Sequence, residues 1–165
     1  FAGLFGMYLL SRSFFPKASR MSSVFASVFY IINLYAIANI WNRFLLNMIV
    51  FYSFLPLLLY FYYQGLNKRK FFYGYILSIS TAVLSYGFSS PNNSILIWFI
   101  LSLLTISYIK RDSRIFFYIK YFVATALSWL IINSWWIVKQ IEFYYSSSFS
   151  SIAKTFFTSF WLFNS

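Results

Sequence analysis

Apolar residues occur along this chain in six long runs, separated by short polar segments. The longer runs approach the roughly 20 residues that a helix needs to cross a membrane. The pattern therefore predicts an all-α fold, a polytopic transmembrane helix bundle with five full spans and one partial span. The partial span is expected at 1–11, and the full spans at 21–40, 44–63, 71–88, 94–109 and 115–138.

Punctuating residues divide the chain further. We expect a transmembrane helical domain over 1–138, followed by an aromatic and Ser-rich tail over 139–165 that faces outward. Gly65 is expected as a helix C-cap, and the SSPNN sequence at 89–93 is typical of a tight turn. Because the first run is only half a span and begins at Phe1, we also expect the chain to be a piece of a longer protein.

The basic residues predict the orientation of the bundle. Each of the segments 12–20, 64–70 and 110–114 carries three Lys or Arg residues, which makes nine in total. The alternating connections carry one basic residue, Arg43, near residues 41–43 and none at 89–93. By the positive-inside rule, the three basic segments are expected on the cytoplasmic side.

Composition excludes several classes of function. Hydrophobic residues make up 61% of the chain and charged residues only 9%, which is too few to cover a water-facing surface. With no Cys and no His, the chain lacks the usual ligands of zinc, haem and iron–sulfur clusters, so no metal and no cofactor is expected. The net charge of +11 does not predict nucleic-acid binding, because the basic residues lie between apolar runs, where membrane topology explains them.

Candidate functional residues are few. Arg43 stands beside Trp41 and Asn42 on the predicted outer side, where its guanidinium is suited to grip a phosphate through two hydrogen bonds. The alternative is an Arg at the membrane interface that contacts solvent or a lipid headgroup. Glu142 is the one carboxylate expected on that side, and its spacing from Lys139 also fits a local ion pair.

Other polar residues lie inside or beside the spans. Asp112 is interpreted as part of a solvated cytoplasmic loop, and Lys120 is close enough to a helix end to extend its amine to the interface. Amides and hydroxyls within spans either join helices or bind a ligand, and the structural interpretation is favoured two to one. The residues concerned are Asn33, Asn39, Asn47, Asn133 and Ser134.

Several short stretches resemble large multi-pass membrane glycosyltransferases of the GT-C class. They are residues 5–10 (FGMYLL), 30–35 (YIINLY), 51–57 (FYSFLPL), the basic loop with Gly65, and 133–136 (NSWW). The resemblance covers roughly 1–90 and 125–137. It implies an outward-facing active site, a polyprenyl-phosphate-linked sugar donor and inverting transfer, with Arg43 at the donor phosphate and Glu142 as a polar contact on the outer face.

One departure from the family leaves the enzymatic role open. Such enzymes place an acidic catalytic residue in the first outer loop, and neither complete outer turn of this chain has an acid. Either the acid precedes Phe1 in a longer protein, or the chain is a small hydrophobic accessory subunit of a larger membrane complex. The expected partners are the lipid bilayer, a polyprenyl-phosphate lipid, and other membrane subunits or the remainder of a longer chain.

Overall fold

The computed structural model describes residues 1–33, 36–37, 46–88, 90–112 and 114–145, and these are almost entirely helical, with no strand among them. The helices in chain order are α1 (Ala2–Phe14), α2 (Arg20–Ile32), α3 (Leu46–Lys68), α4 (Phe72–Val83), α5 (Ser85–Phe88), α6 (Pro91–Ile109) and α7 (Ile115–Tyr145). The all-α prediction is thus confirmed for the described part of the chain.

Three helices are long and apolar enough to cross a membrane, namely α3, α6 and α7 over Ile115–Glu142. This finding indicates a membrane protein. The helices α1 and α2 have 13 residues each and α4 has 12, so each is shorter than a membrane span by itself. The fourth predicted span is divided at Leu84, where α4 ends and the single turn of α5 follows.

The three basic segments meet at one end of the bundle, which is called the basic end below. The Tyr63 hydroxyl donates to the Ser13 carbonyl at 3.0 Å, and the rings of Tyr63 and Tyr108 lie 5.8 Å apart. Arg69 and Asp112 form an ion pair of 2.7 Å at the same end. Segments 12–20, 64–70 and 110–114 are therefore neighbours in space, as the alternation of charged loops predicts.

Helices α1, α3 and α6 run toward the basic end, whereas α2, α4 and α7 run away from it. At the opposite end, Phe51 near the start of α3 packs on Phe88 with ring centroids 5.1 Å apart. Asn93 in the first turn of α6 donates to the Gly87 carbonyl at 2.8 Å. The core between these ends contains buried aliphatic and aromatic residues, mainly from α3, α4, α6 and α7.

Two local predictions were wrong. Gly65 is not a C-cap, because α3 continues to Lys68 and it is Arg69 that has the left-handed backbone, with φ of 56°. A Cβ on Gly65 would lie 2.0 Å from the Tyr121 hydroxyl, so this glycine allows α7 to approach α3 closely. The predicted turn at 89–93 is shorter, because Pro91 begins α6, a position where proline loses no helical hydrogen bond.

The junction predicted at 110–114 is confirmed, since α6 ends at Ile109 and α7 begins at Ile115. Helix α7 continues to Tyr145, seven residues beyond the predicted last span, so the first part of segment 139–165 is helical. The rest of that segment, from 146, lies outside the described residues.

Candidate functional site

The sequence-predicted site falls mostly outside the described residues. Trp41, Asn42 and Arg43 all belong to the undescribed connection between α2 and α3. Glu142 lies near the end of α7, where its carboxylate forms an exposed ion pair of 2.9 Å with Lys139. The local ion pair expected from the spacing of these two residues is therefore present, and its exposure makes it a weak interaction.

Asp112 is more than a solvated loop residue. Its carboxylate accepts hydrogen bonds from the Tyr118 hydroxyl at 2.9 Å, from the Arg114 backbone N–H at 3.2 Å and from Arg69 at 2.7 Å. The bond from Tyr118, then the bond from Arg114 and the charge of Arg69, hold the pKa of Asp112 below its ordinary value. Asp112 thereby joins the α3–α4 and α6–α7 connections at the basic end.

The amide at the end of α2 and the amide in the first turn of α3 both bond to backbone groups, and the first also bonds to a side chain. Asn33 ends α2, where its amide nitrogen donates to the Tyr30 carbonyl and to the Tyr52 hydroxyl, both at 2.6 Å. Asn47 accepts a hydrogen bond from the backbone N–H of Met48 at 2.9 Å. Asn39 lies outside the described residues. Asn33 therefore joins two helices, as the structural interpretation predicts.

Asn133 is the most completely buried amide in the described helices, with none of its surface exposed. Its nitrogen donates to the Trp129 carbonyl at 3.0 Å and to the Thr81 hydroxyl at 3.3 Å. Its oxygen accepts from the indole N–H of Trp136 at 2.9 Å. The amide nitrogen and the amide oxygen of Asn133 thus both form hydrogen bonds within the bundle. This side chain therefore links α4 and α7.

Asn133 belongs to a continuous polar contact, the α4–α7 interface, along which the two helices run parallel. A Cβ on Gly74 would lie 2.4 Å from the Thr125 hydroxyl, and the hydroxyls of Ser78 and Ser128 are 2.8 Å apart. Small residues that let helices approach, with hydroxyls and amides bonded across the contact, are typical of packing within membranes. The interface consists of Gly74, Ser78, Thr81, Thr125, Ser128 and Asn133.

A large apolar groove lies between α3 and α4, on the half of the bundle farther from the basic end. Its volume is about 380 Å³, and one polar side chain, Ser80, contributes to its walls. Val83 at its edge is 79% exposed, so the groove opens sideways into the region that a bilayer would occupy. The lining residues of this α3–α4 groove are Phe54, Leu57, Leu58, Ile79, Ser80, Val83 and Leu84.

Sequence reasoning did not find this groove or the partners of Asp112. The groove depends on which faces of α3 and α4 meet. Helix α3 is mainly apolar, and the polar residues of α4 mark the side that faces α7, so the hydropathy pattern does not define the faces that form the groove. The ion pair joins residues 43 positions apart, for which no local spacing rule exists. A signal was nevertheless present, because Asp112 is the single acid among the basic segments.

Comparisons with protein-family models, with curated proteins and with solved structures found no match to this chain.

Proposed function

We propose that the chain forms the membrane-embedded helical part of a glycosyltransferase-like protein that uses a polyprenyl-phosphate-linked sugar donor. The observation that carries the proposal is the α3–α4 groove. A prenyl chain is apolar and reaches a protein from within the bilayer, and this groove is apolar and open sideways. A binding site of this kind requires concave apolar walls with a few polar groups near one end.

The donor phosphate is assigned to Arg43, with Trp41 and Asn42 beside it. Arg43 precedes the first described residue of α3 by three positions, and that end of α3 is the one nearer the groove. Phe54, the first groove residue on α3, follows Leu46 by eight positions, which corresponds to about 12 Å along a helix. Under this proposal Glu142, on the last turns of α7, is a polar contact on the same outer face.

The proposed topology has five full spans and one partial span, with the basic end in the cytoplasm. In addition to α3, α6 and α7, the spans would include the predicted segment 21–40, which contains most of α2, and α4 together with α5. Support comes from the alternating helix directions and from the nine basic residues gathered at one end. The catalytic acid expected of the family would then be supplied by another part of the protein on the outer side.

The test is binding of a short-chain polyprenyl phosphate to the purified protein in a neutral detergent, with the uncharged polyprenol as reference. Arg43→Gln is expected to weaken binding of the phosphate by about tenfold or more, because a charge-assisted hydrogen bond contributes about 1.5–3 kcal/mol. Arg20→Gln, which removes an exposed arginine from the basic end, is the matched control and should leave the affinity unchanged. Ser80→Trp, which fills the groove, should weaken binding of the polyprenyl phosphate and of the polyprenol by the same factor.

A second candidate function is that of a hydrophobic accessory subunit. The side of α2 that faces away from the bundle favours it. This face presents exposed apolar residues every three or four positions and ends in Ile32, which is 59% exposed. Such a stripe fits a helix of a partner subunit as well as lipid. If neither ligand binds, and the native chain co-purifies at fixed stoichiometry with partners that crosslink to α2, the transferase proposal is overturned in favour of the subunit.

A further inference from the structure

A second groove lies between α6 and α7, on the half of the bundle nearer the basic end. Its volume is about 230 Å³, and it is lined by Ser102, Thr105, Ile106, Ile109, Ile119 and Phe122. From Ser102 to Ile109 it follows α6 for seven residues, or about 10 Å. The walls are mainly hydrocarbon, and Ile106 at the edge is 48% exposed, so the groove is accessible from the bilayer.

Four basic residues either directly follow a lining residue of this groove in sequence or lie in the connection between its two helices. Lys110 directly follows the lining residue Ile109, and Lys120 directly follows Ile119. Arg111 and Arg114 occupy the connection between the two helices. All four side chains are exposed, and within the described part of the chain none of them has an ion-pair or hydrogen-bond partner.

Two details strengthen this charge arrangement. The amine of Lys120 lies 5.1 Å from the centre of the Phe116 ring, one turn nearer the start of α7, so its charge is directed toward the basic end. Asp112, the acid within the connection, is already bound by Arg69 and Tyr118. The partial positive charge at the first turn of α7 adds to the four full charges.

We propose that this is a binding site for an anionic phospholipid. One acyl chain lies in the α6–α7 groove, and the phosphate headgroup is bound by Lys110, Arg111, Arg114 and Lys120. The groove alone would accept any apolar chain, and the loop alone would attract any anion. An anionic phospholipid meets both requirements, because it joins an apolar chain to a phosphate across the membrane interface. This site is separate from the α3–α4 groove and does not depend on the proposed transferase.

The test is native mass spectrometry of the full chain in neutral detergent with three probes. These are phosphatidylglycerol, phosphatidylcholine with the same acyl chains, and glycerol 3-phosphate. Phosphatidylglycerol should bind at least about tenfold more tightly than phosphatidylcholine, because each basic residue near the surface favours an anionic lipid by about fivefold. Glycerol 3-phosphate, which has the headgroup charge without the chain, should not bind at lipid concentrations that saturate the site.

Two variants locate the bound lipid. The first variant should weaken binding of phosphatidylglycerol by about tenfold or more. It replaces Lys110, Arg111, Arg114 and Lys120 by Gln. The matched control replaces Lys17, Arg20, Lys68 and Lys70 by Gln, which removes the same charge from the same end, and it should change the affinity less than about threefold. The second variant, Ile106→Trp, fills the groove without changing the charge. It should weaken binding of both phospholipids.

Three results would overturn the proposal. An equal loss of affinity in the two charge variants would show diffuse attraction to the basic end. Unchanged binding in Ile106→Trp would show that the acyl chain lies elsewhere, and tight binding of glycerol 3-phosphate would show a site for a free anion. Because Ile106→Trp retains every charge and every hydrogen bond described above, its result stands even if the charge variant fails to fold.

Discussion

Helix α7 packs against α4 on one side and α6 on another, and the two contacts are built differently. Toward α4 it presents Thr125, Ser128 and Asn133, which bond to or touch small residues of that helix. Toward α6 it presents large aromatic rings, with Trp129 and Phe122 packed at 5.5 and 5.7 Å from Trp98. Beyond these rings the α6 contact opens into the α6–α7 groove.

The difference follows from the bilayer as a solvent. Lipid chains are as apolar as Leu, so apolar side chains between two helices gain little over contact with lipid, and a lipid can replace part of such a contact. A buried hydroxyl or amide has no partner in lipid and must bond to another helix. The α4–α7 interface therefore fixes how two helices meet, whereas the α6–α7 contact leaves room for a ligand.

The largest expected effect on stability comes from making the same substitution, Ser to Leu, in each of the two contacts. Ser78→Leu places three additional carbon atoms in the α4–α7 interface and removes the bond to Ser128, so it should lower the free energy of unfolding by about 3 kcal/mol. Ser102→Leu makes the same change beside the α6–α7 groove, where space is open, and should alter it by no more than about 0.5 kcal/mol. Unfolding in mixed detergent micelles measures both. Equal losses would contradict the contrast between the two contacts.

A smaller effect is expected from Asn133→Leu, about 1–2 kcal/mol, because the Trp136 indole and the Thr81 hydroxyl lose a partner in a dry interface. The neighbouring Ser134 provides the control, since its exposed hydroxyl donates only to the Ile131 carbonyl one turn earlier. Ser134→Leu should leave the unfolding free energy within about 0.5 kcal/mol of the original. A neutral Asn133→Leu would mean that the amide does not hold α4 and α7 together.

The sequence predicted the features that depend on hydropathy and charge along the chain. The helical class, the 110–114 junction and the assembly of three basic segments at one end all follow from such patterns. The contacts between helices did not follow, because a mainly apolar run gives little signal for the rotation of a helix about its axis. Gly65 is an example. From the sequence, a glycine near a helix end fits a C-cap as well as a close contact with another helix. The contact with Tyr121, on α7, shows that Gly65 has the second role.

For the candidate site, the sequence identified the residue types but not their surroundings. Trp41, Asn42 and Arg43 remain predictions, because they lie outside the described residues. Asn133 was correctly interpreted as a structural amide, although its partners on α4 could not be named from spacing. Both grooves require the relative placement of two helices, which the hydropathy pattern does not provide.

The smallest expected effect concerns Asp112 at the basic end. There its carboxylate links neighbouring segments by hydrogen bonds, as the polar side chains do along the α4–α7 interface. Because bonds from Tyr118, Arg114 and Arg69 lower its folded-state pKa, ionised Asp112 stabilises the fold. That stabilisation is fully present above its unfolded pKa, near 4, and is lost as the pH falls through the lower folded value. Asp112→Asn should therefore reduce the Tm at pH 7 slightly and make the decrease in Tm between pH 5 and pH 2 shallower. A Tm that falls with the same slope in both proteins would show that the carboxylate does not stabilise this end of the bundle.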